Sequence, residues 1–100
     1  MTAPVAEDGS VVGPGDARQQ VRAVLQNIED VLGDHGGGLA DVVQLTAFVV
    51  DAADLKAVAE TLSDAFGAEP PAMSLAAGMT LPNPAFAVEI AVVAQLSSGS

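Results

Sequence analysis

Cysteine, tryptophan and tyrosine are absent from this chain, and only Arg18, Arg22 and Lys56 carry a fixed positive charge. Each absence excludes something. Without cysteine there is no disulfide framework, no thiolate nucleophile and no Cys-ligated metal site. Thirteen carboxylates against three cations give a formal net charge of −10. The chain therefore offers no basic footprint to neutralise phosphates. The missing Tyr and Trp also remove the usual platforms for stacking bases. Nucleic acid is not an expected partner. No wholly apolar run approaches the roughly 20 residues of a membrane span. Residues 1–8 have neither the basic nor the apolar region of a secretory signal. The expectation is a cytoplasmic protein with no membrane partner.

What is present is apolar: half of the 100 residues, mostly Ala, Val and Leu. That is the composition of a globular domain. One domain over residues 1–100 is expected, with a structured core over about 8–96 and a loose tail at 97–100. A domain of this size buries a limited share of its surface, which favours oligomerisation.

Val21, Val24, Leu25, Ile28, Val31 and Leu32 repeat at helical spacing. Asp16 is placed to cap this helix, with Gln19 three residues on as in a capping box. Gly33 is placed to stop it, so the spacing predicts a helix over Ala17 to Leu32. The β-branched run from Asp41 to Val50 predicts a strand, with Val43, Leu45, Ala47 and Val49 on one face and Gln44, Thr46 and Phe48 on the other. Asp51 caps a second helix carrying Leu55, Val58, Ala59, Leu62 and Phe66, which Gly67 stops. Strands over Met73–Met79 and Phe86–Gln95 follow, joined by a turn at Leu81-Pro82-Asn83-Pro84.

The fold class is therefore α+β: two helices on one face of a small mixed sheet. The other face carries Phe48, Ala87, Ala91 and Val93, too apolar to leave in water. Another subunit is expected to cover it.

Several segments share an order and spacing with one known family. They are Asp8-Gly9-Ser10-Val11-Val12-Gly13, Gln20-Val21-Arg22 through Asn27-Ile28, Asp41-Val42-Val43 and Thr46-Ala47-Phe48-Val49. The closing stretch adds Glu69-Pro70-Pro71-Ala72-Met73-Ser74, Leu81-Pro82 and Ala87-Val88-Glu89-Ile90-Ala91. The chain resembles the RidA (YjgF/UK114) family over about Asp8 to Leu96. The resemblance implies a chorismate-mutase-like fold and hydrolysis of reactive enamines and imines without a cofactor or metal. It also implies a homotrimer whose sheets meet as a central barrel, with ligand pockets in the clefts between subunits. Fold alone does not fix function.

Two departures bear on activity. The family's N-terminal strands, with their Gly-Pro-Tyr and Ser-Gly-Gln segments, have no counterpart in these residues. The sheet is expected to lack those strands and the pocket groups they supply. The family's arginine after the Pro-Ala pair, which holds a substrate carboxylate, is Met73 here. A thioether cannot make the bidentate, charge-assisted contact that a guanidinium makes.

Glu89 matches the first glutamate of the family's closing strand, which positions or activates the attacking water. A carboxylate between Val88 and Ile90 suits general acid–base work, or else it reaches solvent at a subunit edge or pairs with Arg18 or Arg22 of another chain. Ser74 either donates to a ligand or bonds backbone within its strand. Met73 either lines an apolar ligand pocket or packs in a core or interface. His35 is a lone loop histidine without the convergent partners a metal needs. The glycines from Gly33 to Gly38 follow a helix, the wrong end for holding an anion. Arg18 and Arg22 lie one turn apart and suit either an anion or salt bridges to the abundant carboxylates within or between subunits.

The resulting expectation is a diverged RidA-like protein acting on or binding a small molecule at a subunit cleft. Glu89 would be the catalytic group, and Met73 and Ser74 would contact the substrate. The alternative is a ligand- or partner-binding module that has lost deaminase activity. A deaminase using Arg18, Arg22 or Lys56 as a substitute cation is a third reading.

Overall fold

Asp16 starts the first helix by accepting the Gln19 backbone N–H on its carboxylate at 3.0 Å. This satisfies one of the amides that a helix leaves unpaired at its N-terminus. The helix, α1, spans Ala17–Asp34 in a computed structural model that describes residues 2–96. After a 3₁₀ turn at Leu39–Asp41 comes β1, Val42–Val49, and after a second at Ala52–Asp54 comes α2, Leu55–Phe66. Strands β2, Ala72–Ala77, and β3, Val88–Ala94, complete the order of helix, strand, helix, strand, strand. The expected tail at 97–100 lies outside the described residues.

The sheet order is β2-β1-β3, with β1 parallel to β2 and antiparallel to β3. The parallel pair requires a crossover, and α2 supplies it. Both helices contribute to a single core on one face of the sheet. Val21, Val24, Val58 and Leu62 from the helices meet Leu45, Ala47, Val49, Val88 and Ile90 from the strands. Leu45, Leu62 and Ile90 are fully buried, each contributing about 1.5–3 kcal/mol relative to exposure.

Three expectations are corrected. First, α1 runs through Gly33 and ends at Asp34, because the left-handed residue is Gly36 at φ 79°. The Gly37 N–H then bonds the Leu32 carbonyl at 2.8 Å and the Gly36 N–H bonds that of Gly33 at 3.1 Å, a Schellman closure. Second, Val31 is 59% exposed and Ala59 is also exposed. Both sit at the margin of an apolar stripe rather than on it. Third, the β1–β3 register shifts between Val42 and Gln44. This bulge turns Val43 outward at 47% exposure and puts Val42 in the core at 5%.

Residues 2–12 form a strap. Thr2 and Ile90 exchange backbone hydrogen bonds of 2.7 and 3.0 Å on the edge of β3 away from β1. The Asn27 amide donates to the Ala3 and Val5 carbonyls, at 3.3 and 2.9 Å, and holds the strap on α1.

Candidate functional site

Glu89 leaves the sheet on the face opposite the helices. Its antiparallel partner is Phe48, whose parallel partner is Ala76. These three side chains form one row across the sheet. The next row is Ser74, Thr46 and Ala91, and the one after it Ala72, Gln44 and Val93. Glu89 is only 7% exposed, yet it makes no side-chain hydrogen bond or ion pair among the described residues. No fully buried side-chain oxygen or nitrogen lacks a partner among those residues, so the carboxylate oxygens keep an opening to solvent while the stem is covered. A carboxylate held this way is free to bond a water or a ligand nitrogen.

Met73 stands elsewhere. Its partner across β1 is Leu45, a core residue, and Met73 itself packs against the helix-side core. It therefore lies on the opposite face from Glu89. Ser74 shares the face of Glu89 and is exposed. It is two strands and one row away, roughly 12 Å by sheet geometry. Within one protomer the three expected site residues do not share a pocket.

The entrance to β3 is fixed by a residue that was not singled out for this role in the sequence. Gln20 is completely buried. Its amide nitrogen donates to the Ala85 carbonyl at 2.8 Å and to that of Gly13 at 3.3 Å, and its oxygen accepts the Ala87 N–H at 2.7 Å. The side chain of α1 thus clamps the chain two residues before Glu89. Beyond that clamp lies an apolar cavity of about 280 Å³, lined by Val50, Met79, Leu81, Pro84 and Phe86 together with Thr80 and Asn83. No periodic pattern marks these residues, because they come from two loops.

The remaining candidates are accounted for locally. Arg18 pairs with Glu60 at 2.9 Å, both ends well exposed. Such a pair is worth little. The His35 ring nitrogen Nδ1 contacts the Val31 carbonyl at 3.0 Å at the end of α1. The depression beside Gly37 and Gly38 is lined by Glu7, Glu29, Asp30 and Asp34, a surface that repels anions. Among the described residues no group of three His, Asp or Glu could hold a metal. No described helix is long and apolar enough to cross a membrane.

A family model described as Endoribonuclease L-PSP matches residues 2–96. The chain is 37% identical to a 3-aminoacrylate deaminase of Acinetobacter baylyi, over 93% of this chain and 73% of that protein. Among solved structures it is similar to a Rid-family protein of unknown function from Yersinia pestis, at TM-score 0.83 and 34% identity, covering 95% of this chain and 74% of that one. A YjgF/YER057c/UK114 family member from Mycobacterium tuberculosis gives TM-score 0.81 and 32% identity, covering 95% and 74%.

The chain belongs to the RidA/YjgF/UK114 family.

In this Rid protein the residue that follows the Pro71-Ala72 pair is a core-packed methionine. All three of its fixed cations lie on the helices, at Arg18 and Arg22 of α1 and Lys56 of α2. None lies on the sheet face of Glu89. Among the described residues the sheet of this Rid protein has three strands, and the strap through Thr2 adds one bridge to its β3 edge.

Proposed function

We propose that this protein is a diverged Rid-family hydrolase of small imines or enamines, with Glu89 as the general base. The observation that carries this reading is the position of Glu89: buried stem, open oxygens, no competing partner. In the reaction, water adds to the carbon of a protonated C=N bond while Glu89 takes its proton. Glu89 returns that proton to the carbinolamine nitrogen, the C–N bond breaks as the hydroxyl gives its proton back to Glu89, and that proton leaves with the ammonia as ammonium beside the carbonyl product. Proton transfer of this kind is worth roughly 100- to 10,000-fold in rate.

Met73 and Ser74 join the site only if a second copy supplies them, since Met73 and Glu89 lie on opposite faces of one sheet. A homotrimer with its ligand pocket in the cleft between subunits meets that requirement. It would also cover Phe48 and the half-exposed Val93. An RNA substrate is disfavoured by the net charge of −10.

The core packing of Met73 favours a second reading, a ligand-binding module without deaminase activity. The two are separated by assaying hydrolysis of 2-iminopropanoate, 2-iminobutanoate and an uncharged imine by the wild type and Met73→Arg. Turnover by the wild type supports the hydrolase. Turnover of the imino acids by the variant alone means a competent pocket turned to other ligands. Silence of both proteins on every substrate supports the binding module.

A further inference from the structure

Val50 follows Phe48 by two residues, so its side chain leaves the sheet on the face of Glu89. Its N–H bonds the Ala87 carbonyl at 3.1 Å. The Val50–Ala87 row is therefore the next one along from the Phe48–Glu89 row, about 7 Å away. Val50 is also a wall of the apolar cavity with Met79, Leu81, Pro84 and Phe86. Val50 thus links the row next to Glu89 with the edge of the cavity. The cavity is half-open to solvent, and its volume of about 280 Å³ gives room for a short branched or aromatic group.

We propose that this cavity holds the apolar body of a small organic cation whose protonated nitrogen bonds Glu89, and that the site selects amines and iminium ions against carboxylates. Two observations set the sign of the charge. Glu89 is 93% buried by its residual exposure of 7% and has no donor or cation among the described residues. Its oxygens are open and have no protein partner, and a ligand N–H⁺ supplies a charge-assisted donor. The chain's fixed cations are all on the helices, across the sheet from this face, and Arg18 is already paired. Among the described residues, no cation on the Glu89 side of a protomer is placed to receive a ligand carboxylate.

The walls are held in place. Gln20 bonds Ala85 and Ala87 on either side of Phe86. The Phe86 N–H bonds the Asn83 carbonyl at 3.0 Å, and Asn83 Oδ1 accepts the Ala85 N–H at 2.9 Å. The Met79 N–H bonds the Val49 carbonyl at 3.2 Å. The cavity is thus formed before any ligand arrives, which lowers the ordering cost of binding.

The inference rests on reading the Glu89 face as the ligand face, but not on turnover. The test titrates the full chain with 3-methylbutylammonium and, separately, with 3-methylbutanoate, a body of the same shape with the opposite charge. Methyl NMR signals of Val50, Met79 and Leu81 report binding. The ammonium should give saturable shifts at these three residues and bind at least about tenfold more tightly than the carboxylate. Glu89→Gln should remove that preference. Met79→Gln, at a half-exposed wall position, should weaken both ligands without changing their ratio. Equal or tighter binding of 3-methylbutanoate, shifts confined to other residues, or no saturable shift with either ligand overturns the proposal. If imine hydrolysis depends on Glu89 while the ammonium does not bind here, the cavity assignment fails alone. If the ammonium binds here and no imine is turned over, the hydrolase reading fails alone.

Discussion

Replacing Gln20 with methionine should destabilise the protein by about 2–3 kcal/mol, although the two side chains have nearly the same volume. The magnitude follows from what each bond leaves behind. The Ala87 N–H, on a residue only 9% exposed, loses its acceptor at 2.7 Å, and an unsatisfied buried donor costs about 1–3 kcal/mol. Ala85 is half-buried, so its carbonyl recruits water and the lost 2.8 Å bond costs about 0.5–1.5 kcal/mol. The 3.3 Å contact to Gly13 is long and adds little. For a chain of 100 residues this loss lowers Tm by roughly 10–20 °C. Urea unfolding followed by far-UV circular dichroism is the assay, since there is no tryptophan to report by fluorescence. Protomer concentration must be held fixed, because assembly shifts apparent stability. The Ala87 amide should also exchange faster with solvent. A Gln20→Met variant within about 0.5 kcal/mol of the wild type, the low end of a net hydrogen bond, would refute the assignment of Gln20 as the clamp on β3.

Leu62→Ala, at a fully buried core position, should cost about 2–5 kcal/mol by urea unfolding. Two glycine substitutions should move the urea midpoint in opposite directions. Gly67→Ala forces a side chain into φ 64°, ψ −134° at the end of α2, costing about 1–3 kcal/mol. Gly33→Ala lies within α1 with open space around its added methyl and should stabilise by about 0.5–1 kcal/mol. The Ser10 hydroxyl and N–H both donate to Asp8, at 2.6 and 2.9 Å, and hold its carboxyl below the ordinary value of 3.8. A depressed folded pKa stabilises above that ordinary value and stops doing so as pH falls through the folded pKa. The Ser10 amide NMR shift should therefore stay constant down to about the ordinary carboxylate range and move only below it.

The helices were legible because their signals are local. Asp16, Gly67 and the apolar spacing fixed where α1 starts and α2 ends. The end of α1 was harder: four glycines lie from Gly33 to Gly38 with one interruption of Asp34 and His35, and only backbone geometry distinguishes Gly36 as the left-handed one. Alternation placed Leu45, Ala47 and Val49 correctly, but a bulge is a relation between two strands. Nothing within Val42-Val43-Gln44 announces it. Glu89 could be named from its flanking strand residues, whereas its separation from Met73 follows from register across β1, which no single segment encodes. Gln20 and the cavity at Val50 and Phe86 depend on contacts between residues more than 30 positions apart, and that is why their roles were not visible in the sequence.

The measurement that bears most directly on the account is the rate of imine hydrolysis by the wild type beside Glu89→Gln, with circular dichroism confirming that the variant folds. The account predicts turnover by the wild type and a fall of about 100- to 10,000-fold in kcat for the variant. Turnover that survives the substitution, or none by the wild type on charged and uncharged imines alike, would contradict it.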